Sequence, residues 1–473
     1  MALHLAPHTI SDVVPVQANG LSFNSSDARS FTSATDTGWT VYQTAPLLKL
    51  SQNRRDRQSG SVRNVLQLEQ SNILFIVGGG PQPLYPPNKV IVWDDKLGKQ
   101  VAQLEFREQV RQIAARRDRL IVVLSKRVVV FALAKGATGI WREGSYETTI
   151  NLKGLVAVAT TTGSTLLAFP GRQAGQVQLV TLPPLDRTSG PLPPPPSYDP
   201  TRAPFPTVSI IIAHTSHLSA LTTTPDGALV ATTSSKGTLV RVWDATTGSL
   251  VKELRRGTDY ADIFGLSLRQ DGNAVAVTSD KGTVHAWDLT TTKQDKRKSD
   301  GEAYESSRHK QLDMLKPFLP KYFSSEWSHS QFRLPASGPS PSKLPNFAAF
   351  ASPSPSSTGT TDERTGRGPL RTEDDICICG WIKVGADAQN ARSPFVNRSN
   401  QRPAQETTRD DDTGDYQIVA ITRSGGWFRI SLNSDRAGRN DIGSSSVTGM
   451  SKRATNECTL EEYRRFGGDE WDW

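Results

Sequence analysis

Asp226-Gly227-Ala228-Leu229-Val230-Ala231-Thr232-Thr233-Ser234-Ser235-Lys236-Gly237-Thr238-Leu239-Val240-Arg241-Val242-Trp243-Asp244 is followed by a second copy of its own pattern, Asp271-Gly272-Asn273-Ala274-Val275-Ala276-Val277-Thr278-Ser279-Asp280-Lys281-Gly282-Thr283-Val284-His285-Ala286-Trp287-Asp288. Both open on an Asp-Gly turn, run through small and β-branched residues, turn again at Lys-Gly-Thr and close on Trp-Asp. Short β-branched runs between glycine turns read as antiparallel strands. Their spacing of about 45 residues is the period of a WD-type propeller blade.

Between the copies lies Leu254-Arg255-Arg256-Gly257. If this stretch is extended, successive side chains leave on opposite faces, so the two arginines address two places rather than one ligand. Each is then joined by polar residues of its own neighbouring blade: His214, Thr232, Ser234, Thr238 and Arg241 around Arg255, and Ser279, Thr283 and His285 around Arg256. Guanidinium forks match phosphate oxygens, and hydroxyls and imidazoles add donors without bulk. Two anion pockets sharing one rim are one reading. Two solvated edge charges, common on outer strands, are the other.

Several further segments carry a family resemblance: Ser25 to Tyr42, Val77-Gly78-Gly79-Gly80, Pro86-Pro87-Asn88-Lys89-Val90-Ile91-Val92-Trp93-Asp94-Asp95, Leu167-Ala168-Phe169-Pro170-Gly171 and Pro320-Lys321-Tyr322-Phe323-Ser324-Ser325-Glu326-Trp327. With the Leu-Arg-Arg-Gly signature at 254–257, the chain resembles the PROPPIN family of polyphosphoinositide-binding WD-repeat propellers. It is most similar to the branch of the fungal "homologous with swollen vacuole" protein and its animal counterparts. The resemblance implies recognition of phosphatidylinositol 3-phosphate and phosphatidylinositol 3,5-bisphosphate. It also implies delivery of autophagy or lipid-transfer partners to vacuolar, endosomal and preautophagosomal membranes.

The expected architecture is all-β: a seven-bladed WD-repeat-type β-propeller with long disordered loop insertions. Residues 1–18 read as a mobile extension and 19–473 as one propeller. Blade one runs from Leu21 to Tyr42, blade two from Val65 to Asp94, blade three from Val101 to Ala134 and blade four from Gly139 to Leu182. Blades five and six are the two copies, from Val208 to Leu250 and from Val251 to Leu289 with a later returning strand, and blade seven draws on Ile376 to Trp381, Tyr416 to Ile430 and the closing segment to Phe466. Arg116-Arg117-Asp118-Arg119 reads as a charged hairpin turn, and Gly78-Gly79-Gly80 as a turn rather than a phosphate loop, because no Gly-Lys-Ser/Thr follows it.

Residues 183–206, with four consecutive prolines, form a stiff connector that stays out of a sheet. Segments 335–372, 388–414 and 433–452 are polar and Ser/Pro/Gly-rich, a composition that cannot bury a core. The insertion 290–329 interrupts blade six. Its Leu312, Met314, Leu315, Phe318 and Leu319 lie among lysines, and the resemblance makes this the loop that enters the bilayer. Apolar side chains beside lysines suit a membrane interface. Tyr322 to Trp327, just before the returning strand, is read instead as packing on the propeller's side.

Composition limits the function classes. The chain has 473 residues, is 36% hydrophobic and carries a formal net charge of +8, enough apolar content for a core and a bias toward polyanions. Nucleic acid would call for a long basic stripe with stacking aromatics, and the suggestive residues cluster on two blades instead, so no nucleic acid is expected. Three cysteines make neither a disulfide framework nor a zinc site, which suits a reducing, cytoplasmic setting. With neither an amino-terminal signal nor a long apolar run, any membrane contact is expected to be peripheral. His214, His217 and His285 have no partnered nucleophile or metal cluster, so the reading is a non-enzyme without cofactor or metal. The alternative to a lipid reader is a generic WD-repeat scaffold that uses its faces for protein partners.

Overall fold

Runs of Val, Ile, Leu and Thr between glycine turns form seven antiparallel sheets in the computed structural model. It describes residues 17–24, 27–54, 60–134, 139–186, 191, 207–290, 326–328, 330–334, 375–384, 415–432 and 458–467. The blades span residues 20–54, 62–105, 112–147, 157–212, 218–255, 263–288 completed by Ser330–Arg333, and 377–465. In each blade the second and third strands are sandwiched between neighbouring blades and are mostly buried; Ile73–Gly78 is apolar throughout, whereas Ser30–Thr35 buries hydroxyls as well. The fourth strand is a solvent edge with alternating exposure, as in Lys99–Glu105. A strand buried on both faces favours apolar and small residues, whereas an edge strand can be charged.

The core is a ring of seven clusters, one in each gap between blades. Trp39 meets Trp93 between blades one and two, Phe75 meets Phe131 between two and three, and Tyr146 meets Phe169 between three and four. Leu179 and Trp243 fill the next gap, Leu254 and Trp287 the one between blades five and six, and Ala286 and Trp381 the one between six and seven. The ring closes between blades seven and one around Phe31 and Trp427. Among the described residues no strand is exchanged at this closure: the sheet of blade one uses only residues 20–54 and that of blade seven only 377–465. Side chains do the joining, through Phe31 stacked on Tyr42 at 5.0 Å and Phe466 edge-on to both at 5.2 and 5.3 Å. Such aromatic pairs contribute about 0.5–1.5 kcal/mol each beyond area burial. Ala18 adds a backbone bond to the Arg423 carbonyl at 2.9 Å and is 3% exposed, so this last residue of the expected extension is part of the ring.

The blade boundaries differ from the sequence reading in a systematic way. Lys99–Glu105 is the outer strand of blade two, not the start of blade three. Ile140–Glu147 completes blade three, and Thr207–Ile212 completes blade four, so the proline-rich segment falls inside blade four rather than after it. Leu250–Arg255 is likewise the outer strand of blade five. Lys99–Glu105, Ile140–Glu147 and Leu250–Arg255 are edges without a continuous apolar run, and Thr207–Ile212, though apolar at its end, is separated from the rest of its blade by the proline-rich segment.

The charged stretch at 116–119 is a hairpin turn, joining Gln112–Arg116 to Arg119–Val123, and most of its charge is buried. Arg116 is fully buried: its Nε donates to Asp118 at 2.6 Å, and its terminal nitrogens donate to the carbonyls of Ser164 at 3.1 Å and Pro183 at 2.6 Å. Arg119 pairs with Asp118 and Glu143. The network ties blade three to blade four, and only Arg117 faces water.

The insertion in blade six returns as expected, with Ser330–Arg333 antiparallel to the third strand, Thr283–Asp288. Just before it, Glu326–Trp327 joins blade five as a fifth strand, parallel to Leu250–Arg255. Leu312, Met314, Leu315, Phe318 and Leu319 lie outside the described residues, as do 335–372, 388–414, 433–452 and most of 183–206.

Candidate functional site

The Lys-Gly-Thr turn of blade five prepares the double arginine. Gly237 has φ +64°, and a Cβ there would come within 1.9 Å of the Ala261 carbonyl oxygen, so only glycine lets this turn press against the connection to blade six. The Thr238 carbonyl then accepts the Arg256 backbone N–H at 2.9 Å, and the Gly237 carbonyl accepts Arg256 Nε at 2.6 Å.

Strand register sorts the neighbouring side chains onto two faces. Arg255 pairs with Leu239, Arg241 with Glu253, and Thr232 with Arg241. Directly paired residues share a face, so Thr232, Arg241, Glu253 and Arg255 lie on the side of blade five toward blade four. Leu254, on the opposite face, enters the core between blades five and six. Arg256, past the strand's end, sits over that second gap. On blade six His285 and Thr283, two residues apart, share the face that looks toward blade five, as does Trp287.

In the first groove most of the polar residues are held by one another. His214 Nε2 hydrogen-bonds Thr232 Oγ1 at 3.0 Å, and the same hydroxyl accepts the Trp243 indole N–H at 3.0 Å. Burial pushes the His214 pKa down to about 4, with the Arg241 charge adding to the effect. Arg241 forks onto Glu253 at 2.8 and 2.9 Å and donates to the Ala213 carbonyl at 2.5 Å. Ser234 is buried, and its carbonyl accepts from Ser219 Oγ and from the Gly237 N–H. His214, Thr232 and Arg241 therefore form an ordered support, while Arg255, 4% exposed, and the half-buried Thr238 flank the turn.

The second groove is less satisfied. Arg256, 7% exposed, donates through Nε to Gly237 and through Nη2 to the Asp259 carbonyl at 2.6 Å. Nη1 has no partner among the described residues. Burial lowers the Arg256 pKa, against the attraction of Asp280 and Asp259. His285 hydrogen-bonds Thr283 Oγ1 at 3.1 Å and Ser328 Oγ at 3.2 Å and stacks on Trp287. Its pKa is pushed down to about 4 by burial and then by the Arg256 charge. Ser279 Oγ, in a residue 1% exposed, has no hydrogen-bond partner among the described residues. A buried hydroxyl without a partner costs about 1–3 kcal/mol.

The strands after the insertion bring residues that the sequence reading left out. The Trp327 ring, 55% exposed, lies 5.9 Å from the Arg255 guanidinium carbon. Ser328 reaches His285, and the exposed Arg333 is the strand partner of Thr283. His217, weighed above as a catalytic candidate, takes part only through its carbonyl, which accepts the Ser235 N–H. No group of three or more His, Cys, Asp or Glu among the described residues could hold a metal ion. Cys377 and Cys379 are buried, and burial pushes both thiols up, away from nucleophilic chemistry.

Comparison with known proteins bears on the family and the fold. The PROPPIN family model matches residues 196–330, the stretch that holds both copies of the repeat and the double arginine. The SVP1-like protein 2 of Emericella nidulans is 32% identical over 348 residues, covering 72% of this chain and 96% of that protein. Autophagy-related protein 18e of Arabidopsis thaliana is 33% identical, covering 65% of this chain and 73% of that one. Among solved structures, Hsv2 of Kluyveromyces lactis superposes with a TM-score of 0.53 at 17% identity, over 95% of this chain and 99% of that one. The structure of KlAtg21 in complex with the coiled-coil of AgAtg16 superposes with a TM-score of 0.56 at 15% identity, over 96% and 99%. The chain belongs to the PROPPIN family of phosphoinositide-binding β-propellers, on the branch of the fungal SVP1-like and Hsv2 proteins.

Proposed function

We propose that this propeller is a peripheral membrane adaptor that reads phosphatidylinositol 3-phosphate and phosphatidylinositol 3,5-bisphosphate through two rim pockets. One is built on Arg255 with Thr238, supported by His214, Thr232, Ser234 and Arg241. The other is built on Arg256 with Ser279, Thr283 and His285. The observation that carries the reading is the pair itself: consecutive arginines, both over nine-tenths buried, each over a different inter-blade groove. Solvated edge charges would not be buried. Two weak sites facing one membrane gain from each other because the second capture is intramolecular. The apolar residues Leu312, Met314, Leu315, Phe318 and Leu319 supply the bilayer anchor in this reading, on the strength of sequence and resemblance alone.

The adaptor's second partner is a protein of autophagy or lipid transfer. A cleft of about 1260 Å³ beside the outer edges of blades two and three, lined by Arg107, Lys126, Arg127 and Arg142 together with Glu105, Glu108 and Glu147, offers a charged surface of both signs on a part of the ring remote in sequence from the double arginine. The coiled-coil partner in the solved KlAtg21 complex makes a helical segment the first candidate.

Liposome flotation tests the reading, with and without phosphatidylinositol 3-phosphate, on wild type, Arg255→Thr, Arg256→Thr and the double variant. Recruitment should need the lipid, weaken with either single change and vanish in the folded double variant. A double variant that floats like the wild type would leave a protein scaffold as the function.

A further inference from the structure

The innermost strands of all seven blades line a central channel of about 640 Å³. Two guanidinium groups line the channel at the end where those strands begin, and a third stands close by. Arg63 is the second residue of the first strand of blade two and Arg423 lies in the turn after the second strand of blade seven, both in the channel wall, while Arg111 directly precedes the first strand of blade three. They are near enough to influence one another. Burial lowers the pKa of Arg63 and the Arg111 charge lowers it further; burial also lowers that of Arg423, where Asp375 opposes the effect and Arg63 reinforces it.

One acid beside the cluster, Asp375, offsets part of the Arg423 charge. Asp375 accepts both the Ser424 N–H, at 3.1 Å, and the Ser424 hydroxyl. Asp262, across the same mouth, is 3.6 Å from Lys153. Arg63 makes no hydrogen bond or ion pair with any described residue, and Arg111 donates through Nε to Ser125 Oγ at 3.2 Å. The glycine turn after the second strand of blade two gives Arg63 its room: a Cβ on Gly79 would stand 2.6 Å from the Arg63 Cβ. Like charges gathered in a recess are unfavourable in the empty protein, and an anion relieves them.

We propose that this channel mouth is a third anion site, distinct from the rim pockets, and that its ligand is a small soluble molecule bearing several phosphate groups. Guanidinium groups suit phosphate because their forks bond two oxygens at once. A soluble ligand fits better than a lipid because the groups are recessed at the ring's axis, on blades two, three and seven, while Arg255 and Arg256 serve the rim of blades five and six. A headgroup anchored in a flat bilayer has a longer way in than a free anion.

Isothermal titration with sodium tripolyphosphate at fixed low salt tests the site on full-length protein. The Arg255→Thr/Arg256→Thr variant should keep a tripolyphosphate site of wild-type affinity. Arg63→Gln/Arg423→Gln should weaken that site by about tenfold or more and still float on phosphatidylinositol 3-phosphate liposomes like the wild type. Unchanged affinity in the channel variant, or loss of all binding in the rim variant, overturns the proposal. Should the channel variant fail to fold, phenylglyoxal labelling of the wild type, read by peptide mass spectrometry, decides the matter. Tripolyphosphate should protect Arg63 and Arg423, and equal labelling with and without it overturns the site. Protection by phosphatidylinositol 3-phosphate liposomes as good as that by tripolyphosphate overturns the soluble ligand.

Discussion

The guanidinium carbon of Arg255 lies 5.9 Å from the centre of the Trp327 ring, and the two residues are also backbone partners in a parallel strand pair. The end of the blade-six insertion is thereby fastened to the arginine on which the proposed first rim pocket is built. A cation–π contact at an exposed site contributes about 0.5–1 kcal/mol, here by holding the guanidinium in place. Trp327→Ala is expected to weaken capture of phosphatidylinositol 3-phosphate liposomes about two- to fivefold. The check is a lipid titration with thermal melting alongside. Unchanged capture would mean that the ring does not position Arg255.

Arg116 and Arg117 are adjacent, and their replacement should have very different effects. Arg116→Ala leaves the buried Asp118 with one cation fewer and strands the carbonyls of Ser164 and Pro183. Removing one partner from a buried ion network costs about 3–5 kcal/mol. Arg117→Ala, at an exposed position, should stay within about 0.5 kcal/mol. Urea denaturation of the two variants measures the difference directly, and equal midpoints would refute the buried-network account.

Acid should weaken the fold through the rim histidines. Both His214 and His285 have native pKa values near 4 against an ordinary 6.5. Between those values the unfolded chain binds protons that the native one refuses, so stability is complete above pH 6.5 and is lost as the pH falls toward 4. From pH 7 to 5 the loss is about 2 kcal/mol per histidine. Replacing one of them, as in His285→Gln, should shrink the fall in urea midpoint between pH 7 and 5. A fall equal to the wild type's would assign the acid sensitivity to other groups.

What could be read from the chain follows from which residues carry their own explanation. The Asp-Gly and Lys-Gly-Thr turns and the closing Trp-Asp pairs mark blades five and six without reference to anything distant, and runs such as Ile73–Gly78 announce strands buried on both faces. Lys99–Glu105 escapes a pattern reading because a solvent edge needs no apolar run, and Thr207–Ile212, apolar as it is, lies beyond a proline-rich segment that hides which blade it completes. In the site, alternation alone sends Arg255 and Arg256 to different grooves. The bonding of Thr232 to Trp243 and of Arg241 to Glu253 depends on inter-strand register. The approach of Trp327 to Arg255 spans the whole blade-six insertion, and no local pattern encodes it.

Ser279 offers the sharpest separation of stability from binding. Its hydroxyl is buried and has no partner among the described residues, while Thr283 and His285 on the next strand already bond each other. In the empty protein Ser279→Ala removes an unsatisfied polar group and opens almost no space, so the variant should be as stable as the wild type or more stable by up to about 1 kcal/mol. If the second rim pocket takes a phosphate, the hydroxyl is one of its donors. A hydrogen bond to a charged group contributes about 1.5–3 kcal/mol, or about tenfold to a hundredfold in affinity. The measurement belongs in the Arg255→Thr background, where the second pocket acts alone, with thermal melting and a phosphatidylinositol 3-phosphate liposome titration on the same samples. The two effects should have opposite signs or leave stability flat while binding falls. Lower stability with unchanged binding would make the hydroxyl a structural group and remove Ser279 from the pocket.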